Sequence, residues 1–249
     1  MTQSAPDEFL VVIPARFASS RLPGKALADL GGKSVLHRCV EQVRRVVTNQ
    51  RIIVATDDQR IVDECERFDI GCEMTSPSCL TGTDRVAEVA IRHDVEWIVN
   101  VQGDEPFLDP SGLGKLLTAV ASTDSSTGVL NAFAPIRDEA EFRSSTVPKV
   151  VVDQYRRLLY VSRGPIPTNK SLGFSAAKRQ VGMYAFRREA LKLFASQDSK
   201  TPLESLEDIE ILRFLELGVS VTMIEVDSVG IAIDTPEDLN RARLFLTSR

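Results

Sequence analysis

The sequence predicts an α/β fold with a mostly parallel, Rossmann-like sheet that is covered by helices on both faces. Short apolar runs alternate with amphipathic stretches over residues 9–101, which is the rhythm of consecutive βαβ units. Gly and Pro residues follow the strand-like runs, where the loops of an active site belong. The composition of 43% hydrophobic and 26% charged residues in 249 is that of a globular protein with a sizeable core.

The first half of the chain supplies the predicted parallel units. The apolar run Phe9–Ile13 predicts a buried strand, and it is followed by the helical periodicity of 34–47. The next strand-like run, 51–56, leads through Asp57 and Asp58 into a helix that ends near Phe68. A third helix and strand are predicted at 83–93 and 96–101.

The second half departs from this rhythm after about Ala134. The predicted elements there are strands at 149–153, 158–162 and 180–187, an irregular stretch at 164–178, a helix at 203–217 ended by Gly218, strands at 219–226 and 230–233, and a final helix at 236–245 with Thr235 as its N-cap. We therefore predict one domain, 1–249, with an inserted β-rich arm at 135–190.

Composition excludes several classes of protein. A net charge of −5 argues against general nucleic-acid binding, and no apolar run reaches the length of a membrane span. The polar, acidic first eight residues do not resemble a secretory signal, so we expect a cytoplasmic protein. Four cysteines without a C-x-x-C pair are expected to be reduced thiols, and His37 and His93 are expected to be structural. These counts disfavour a zinc site or a Ser-His-Asp hydrolase.

A cationic loop follows the first predicted strand. It contains Arg16, Ser20, Arg21, Gly24 and Lys25. Guanidinium groups donate forked hydrogen bonds to phosphate oxygens, lysine adds a point charge, and glycine allows close approach of the backbone. The carboxyl end of a first strand is also where open α/β sheets hold polyanions. The loop therefore predicts a phosphorylated substrate.

Two better-known phosphate loops do not fit this sequence. The run from Gly31 to Ser34 ends in Gly-Lys-Ser, but the Walker A pattern requires glycine at position 27, where the chain has Leu27. No G-x-G-x-x-G fingerprint follows the first strand, which disfavours an NAD-dependent Rossmann enzyme.

Two acidic residues are predicted at the ends of strands. Asp104 follows the apolar run 97–101, and Asp234 follows 231–233. Each acid alone is also explained as a turn or helix-start residue. Together with the cationic loop, they predict phosphoryl chemistry in which carboxylates hold Mg²⁺ against phosphate oxygens.

Six segments, in order along nearly the whole chain, closely resemble the 3-deoxy-manno-octulosonate (KDO) cytidylyltransferase family, also called the CMP-KDO synthetases of lipopolysaccharide and capsule biosynthesis. The segments are 14–25, 81–85 (Thr-Gly-Thr-Asp-Arg), 100–106 (Asn-Val-Gln-Gly-Asp-Glu-Pro), 162–167 (Ser-Arg-Gly-Pro-Ile-Pro), 182–187 and 234–236 (Asp-Thr-Pro). The resemblance implies a nucleotide-sugar-transferase type of α/β fold and a homodimer joined partly through the arm.

The resemblance implies transfer of CMP from CTP to the anomeric hydroxyl of a 2-keto-3-deoxy sugar acid, with release of pyrophosphate. In that family the cationic loop residues grip the triphosphate, and the two strand-end acids bind Mg²⁺. The implied catalytic residues are Arg16, Arg21, Lys25, Asp104 and Asp234. Further implied substrate contacts are Ser20, Gly24 and Gln102, and the implied cytosine-reading residues are Thr75, Pro77, Gly82, Thr83 and Arg85. On the sugar side the resemblance implies Gln180, Tyr184 and Glu210, together with Arg163, which would pair with the sugar carboxylate or with a phosphate.

The departures from the family pattern lie in the sugar-facing half. The family usually has His where this chain has Gln180, and Gln where it has Ile211. An aromatic residue is expected where the chain has Thr168. Loss of a polar contact changes substrate choice. The leading hypothesis is therefore a KDO cytidylyltransferase, with an enzyme for a modified acid, such as 8-amino-KDO or another 2-keto-3-deoxy acid, as the alternative. A non-catalytic nucleotide-sugar-binding protein is the distant alternative, and the two acids argue against it.

Overall fold

A computed structural model describes residues 9–19, 21–227 and 230–247. Within these ranges nine strands form one sheet. The strands are β1 (Phe9–Pro14), β2 (Ile52–Thr56), β3 (Gly71–Met74), β4 (Trp97–Val101), β5 (Val129–Pro135), β6 (Lys149–Val152), β7 (Leu158–Ser162), β8 (Lys178–Arg187) and β9 (Val221–Glu225).

The strand order is β3-β2-β1-β4-β8-β5-β9, with the β6–β7 pair joined to β8. The pairs β1–β2, β2–β3, β1–β4 and β5–β9 are parallel, whereas β8 is antiparallel to both β4 and β5. The predicted mostly parallel α/β sheet is confirmed. Since β8 runs in reverse, its amino-terminal residues lie at the edge where β1, β4 and β5 have their carboxyl ends.

The helices cover both faces of the sheet, above two large apolar clusters. Their bounds are α1 (Val35–Val43), α2 (Gln59–Arg67), α3 (Gly82–Arg92), α4 (Pro110–Ser122), α5 (Glu139–Arg143), α6 (Arg188–Ala195), α7 (Pro202–Glu207), α8 (Ile211–Glu216) and α9 (Pro236–Thr247). Polar N-caps start several of them, as Ser34, Asp58 and Thr81 do for α1, α2 and α3. No helix in the described ranges has the length and apolar character needed to cross a bilayer.

The strongly periodic segments were predicted well. The predicted bounds agree with the structure to within four residues for strands β1, β2, β4, β6 and β7 and for helices α1, α2, α3 and α9. The predicted N-cap of α9 is also present, since Thr235 accepts a hydrogen bond from Asp238 N at 3.2 Å. The local sequence pattern did not predict β3, β5, α4, α5 or α6. All four cysteines are free thiols.

Two predicted elements are wrong. The helix expected at 203–217 is broken into α7 and α8, because Asp208 adopts a left-handed conformation with φ of 51°. This break lets Glu210 turn towards the start of α3, where its carboxylate accepts backbone hydrogen bonds. The strand expected at 230–233 is extended chain without strand pairing. That stretch instead runs past the carboxyl end of β4, where Ile233 N donates to Asp104 O at 2.9 Å.

The range predicted as an arm contains two different parts. Residues 178–187 form β8, which lies between β4 and β5 in the middle of the sheet. The part outside the central strands is the β6–β7 pair with its flanking loops, which carries the exposed side chains of Tyr155 and Leu159. The role of this pair in dimerisation stays a prediction.

Candidate active site

Lys25 joins the two strand-end carboxylates that the sequence singled out. Its Nζ donates a short hydrogen bond to Asp104 Oδ2 and a second, of 2.9 Å, to Asp234 Oδ1. Burial lowers the pKa of Lys25, but the two carboxylates outweigh burial and raise it above the ordinary value. Asp104 and Asp234 are 130 residues apart in the chain. They meet here because Asp104 follows β4, and the stretch 230–233 runs past the carboxyl end of that strand, where Ile233 N donates to Asp104 O.

The donor set fits a magnesium ion that is completed by substrate. Within the described residues no group of three or more His, Cys, Asp or Glu side chains could hold a metal ion. Mg²⁺ is commonly held by one or two carboxylates together with waters and substrate phosphates. The ammonium group of Lys25 already lies between two carboxylate oxygens, so this position favours a cation. Asp104 and Asp234 would hold the ion.

The backbone at this edge is closely packed. A Cβ on Gly103 would lie 2.8 Å from the carbonyl oxygen of Pro14, at the end of β1. Only glycine allows Asp104 to approach the cationic loop this closely. Gly24 adopts a φ of 70°, and its N–H donates to Phe17 O at 2.9 Å, which closes the loop ahead of Lys25.

A pocket lies beside Lys25 and Asp104. Its lining includes Pro14, Ala15, Arg16, Lys25, Ala26, Gly82, Arg85, Gln102, Gly103, Asp104 and Glu210. Seven of these residues belong to the predicted site, so the structure brings the cationic loop, the start of α3 and the end of β4 together. Arg16 is exposed at this pocket.

Arg21 and Asp234 face a neighbouring cavity. Arg21 Nη2 lies 3.1 Å from Asp234 Oδ1, and both side chains line this cavity together with Arg179 and Arg241. Lys25 and Asp234 therefore connect the two recesses. The predicted contact Ser20 lies outside the described residues.

The residues predicted to read cytosine form a connected group. Arg85 is buried, donating a short hydrogen bond to Thr75 Oγ1 and one of 2.8 Å to Asp57 Oδ2. Thr75 Oγ1 in turn donates to Thr56 O at 3.0 Å, at the end of β2. Asp57, which the sequence analysis did not place in the site, orients Arg85. Pro77 is exposed two residues beyond Thr75.

Glu210 caps the start of α3. Its carboxylate accepts hydrogen bonds from Gly82 N at 3.1 Å and from Thr83 N at 2.8 Å. A carboxylate is stabilised by the free N–H groups and the dipole at a helix N-terminus. Burial nevertheless raises the pKa of Glu210, and the bonds from Thr83 and Gly82 oppose that rise. Glu210 thus fixes the α3 terminus while lining the pocket.

Arg163 is held by backbone carbonyls. Its Nε donates to Glu207 O at 2.6 Å, Nη1 to Ser145 O at 3.0 Å and Nη2 to Asp208 O at 2.9 Å. The guanidinium therefore ties β7 to the break between α7 and α8. These bonds use three of the five N–H groups of the guanidinium. The predicted contact of Arg163 with a sugar carboxylate or a phosphate would use the other two.

The remaining sugar-side residues lie on β8 or close to it. Gln180 is buried and donates from Nε2 to Asn131 Oδ1 at 3.0 Å. Burial raises the pKa of Tyr184, and the charge of Glu210 raises it further. Ile211 is buried in the apolar cluster on this face, and Thr168 is exposed.

Sequence reasoning missed a buried ion triad beneath the site. Arg213 is fully buried, and it donates to both oxygens of Glu204, at 2.6 and 2.7 Å, and to Asp84 Oδ1 at 2.9 Å. This triad joins α7, α8 and α3. Three charges spread over 129 residues have no local sequence signal, and only the tertiary fold brings them together.

Glu105 was also missed, although it follows Asp104 directly. It is buried, and its Oε2 has no hydrogen-bond partner among the described residues. Burial, together with the neighbouring charge of Asp104, raises the pKa of Glu105 to about 7, against the opposing effect of Arg179.

We expect Glu105 to make stability fall as pH rises. Between its ordinary pKa of 4.5 and about 7, the folded protein keeps a proton that the unfolded chain has lost. The free energy of unfolding should therefore decrease across this window, by about 3 kcal/mol at most. In urea titrations with EDTA, Glu105→Gln should be more stable relative to the parent at pH 8 than at pH 4.5. The exposed Glu66→Gln should keep the parent's pH dependence, and an equal response of both variants would contradict this assignment.

Comparison with known proteins assigns this α/β fold to the cytidylyltransferase class of nucleotidyltransferases. A family model described as cytidylyltransferase matches residues 10–223. The solved CMP:2-keto-3-deoxy-manno-octonic acid synthetase complexed with CTP is 33% identical, with a TM-score of 0.89 over 97% of this chain and 99% of that one.

Two curated relatives narrow the assignment. The 3-deoxy-manno-octulosonate cytidylyltransferase of Syntrophotalea carbinolica is 41% identical over 94% of this chain and 97% of its own length. The enzyme of the same name from Geotalea daltonii is 43% identical over 96% and 98%. The chain belongs to the 3-deoxy-manno-octulosonate cytidylyltransferase family.

Proposed function

We propose that the protein transfers CMP from CTP to the anomeric hydroxyl of 3-deoxy-manno-octulosonate and releases pyrophosphate. The observation that carries this proposal is the pairing of Asp104 and Asp234 around Lys25, beside the pocket that contains Arg16 and Arg85. The acceptor in this proposal is taken from the two curated relatives, which are named as cytidylyltransferases for this sugar acid.

The chain's own residues suit an in-line displacement at the α-phosphorus of CTP. Arg16, Arg21 and Lys25 provide three cations that neutralise phosphate oxygens. Two groups would position the nucleotide. One is Arg85, which is held by Asp57 and Thr75, and the other is the N-terminus of α3, which is held by Glu210. Mg²⁺ held by Asp104 and Asp234 would add Lewis-acid charge at the reacting phosphate and lower the pKa of the attacking hydroxyl.

A modified acid is the second candidate acceptor. Ile211 is fully buried among apolar side chains, so it supplies no polar contact where the family usually has Gln. An amino-substituted octulosonate or another 2-keto-3-deoxy acid would be favoured if that contact distinguishes substrates. We also propose that the active form is a homodimer, which the exposed Tyr155 and Leu159 near the β6–β7 pair support.

The proposed reaction is tested by a pyrophosphate-release screen. Purified protein with Mg²⁺ is incubated with CTP and a panel of 2-keto-3-deoxy acids, and with ATP, GTP or UTP as controls. We expect release with CTP and 3-deoxy-manno-octulosonate, and little with the other nucleotides. Release with an amino-substituted acid alone would support the second candidate, and no release with any acid would contradict transferase activity.

A further inference from the structure

Asn131 lies at an irregularity between two central strands. The register of β5 with β8 shifts between Asn131 and Ala132. Asn131 is fully buried, and its Nδ2 donates to Val181 O at 3.0 Å and to Met183 O at 2.9 Å. Both partners are carbonyl oxygens, which only accept, so the amide group of Asn131 has one possible orientation.

This orientation fixes the amide of Gln180. With both N–H groups used, Asn131 offers only Oδ1 to its neighbour, and Gln180 meets it with Nε2 at 3.0 Å. The oxygen of Gln180 must therefore lie on the other side of its amide. Gln180 Oε1 accepts no hydrogen bond within the described residues, and Gln180 retains 9% exposure.

Gln180 lies at the edge of the sheet that carries the site. Gly182, two residues further along β8, accepts a hydrogen bond from Gln102 N at 3.4 Å, next to Asp104. Val181, Met183 and Ala185 belong to the apolar cluster of one face. Gln180 therefore shares the opposite face with Tyr184, because side chains alternate along a strand.

We propose that Asn131 is a positioning residue that holds Gln180 with its carbonyl oxygen free to accept a hydrogen bond from the acceptor sugar acid. The inference rests on the proposed function. It assigns a chemical requirement to the substrate: the group that meets Gln180 must be a donor, a hydroxyl or an amino group. A fluorine, ether or carboxylate there would leave two acceptors facing each other, and the site would select against it.

The test compares acceptor acids in wild type and in Gln180→Met, which keeps the side-chain length and removes the amide. Each hydroxyl of the acid except the anomeric one, which is the nucleophile of the proposed reaction, is replaced in turn by fluorine, which cannot donate. We expect wild type to lose about tenfold in kcat/KM at one position, as one unpaired polar group predicts, and Gln180→Met to show no loss there. Gln180→Met should raise KM for the parent acid about tenfold and leave KM for CTP unchanged.

Two further variants separate positioning from structure. Gln180→His should keep acceptor KM near the wild-type value, because imidazole donates to Asn131 Oδ1 from one nitrogen and accepts with the other. Asn131→Ser should raise acceptor KM and remove the selection against fluorine, with CTP KM unchanged. Gln197→Met, on the surface after α6, is the matched control and should change neither KM.

The outcomes distinguish this inference from the proposed function. If wild type tolerates fluorine at every position, or if Gln180→Met keeps the parent acceptor KM, the inference is overturned while transferase activity stands. A wild-type protein that releases no pyrophosphate with any acid contradicts the proposed function itself, and the inference with it.

Discussion

Replacing Asp104 or Asp234 with Asn is expected to abolish Mg²⁺-dependent pyrophosphate release, with a loss of roughly 1,000-fold in kcat. Among the residues that the structure describes, two carboxylates meet at Lys25, and each variant removes one of them. Asparagine keeps the size of the side chain but removes its charge, so a Mg²⁺ ion would lose one of its two carboxylate ligands and would be held less tightly against the triphosphate.

The folded structure should survive both changes. Lys25 keeps one carboxylate partner in either variant, and Asp234 is 37% exposed in its side chain. Unfolding midpoints in urea should therefore stay close to the parent value. Asp227→Asn, which removes an exposed partner of Lys115, is the control and should keep full activity. Substantial turnover in both site variants would show that the metal assignment is wrong.

Disrupting the buried triad beneath the site should have the largest effect on stability. Arg213→Met leaves the carboxylate of Glu204 fully buried without its cation, because both of its oxygens bond to that guanidinium. Removing one partner of a buried ion pair destabilises proteins by about 3–5 kcal/mol. We expect a loss of that size in the free energy of unfolding, measured by urea titration at pH 7.

The surface offers a matched comparison. Glu189 and Lys192 form an exposed pair, with side chains 78% and 48% exposed, and such pairs contribute about 0–1 kcal/mol. Glu189→Gln should therefore change stability little. A double variant, Glu204→Met with Arg213→Met, should recover part of the loss, since it removes the fully buried unpaired carboxylate and leaves only Asp84 without Arg213. A single Arg213→Met that is as stable as Glu189→Gln would contradict the role given to the triad.

The sequence predicted the parts of the fold that local pattern encodes. Apolar runs such as Phe9–Ile13 and capped helices such as α1 carry their own signal, and the structure confirms them. The helix break at Asp208 was not predictable, because 203–217 is continuously periodic and the left-handed turn is compensated by the bonds of Glu210 to α3. Tertiary contacts outweighed local helix propensity there.

The same division holds for the site. Arg16, Arg21, Lys25, Asp104 and Asp234 were chosen from residue type and position after apolar runs. In the structure the five lie around two adjoining recesses that are joined at Lys25 and Asp234, and their catalytic roles stay a prediction. The supporting residues Glu105, Asp57 and Arg213 gave no such signal, because a buried acid or base resembles any surface charge until its environment is known.

By itself, the sequence determined the class of fold, the cationic loop and the carboxylates, because periodicity and residue chemistry are local properties. Only the tertiary structure decided that Lys25 bridges Asp104 and Asp234, that Glu210 caps α3, and that Asn131 fixes the direction of the Gln180 amide. The physical reason is that burial and hydrogen-bond geometry arise between segments far apart in the chain, where neither spacing nor composition records them.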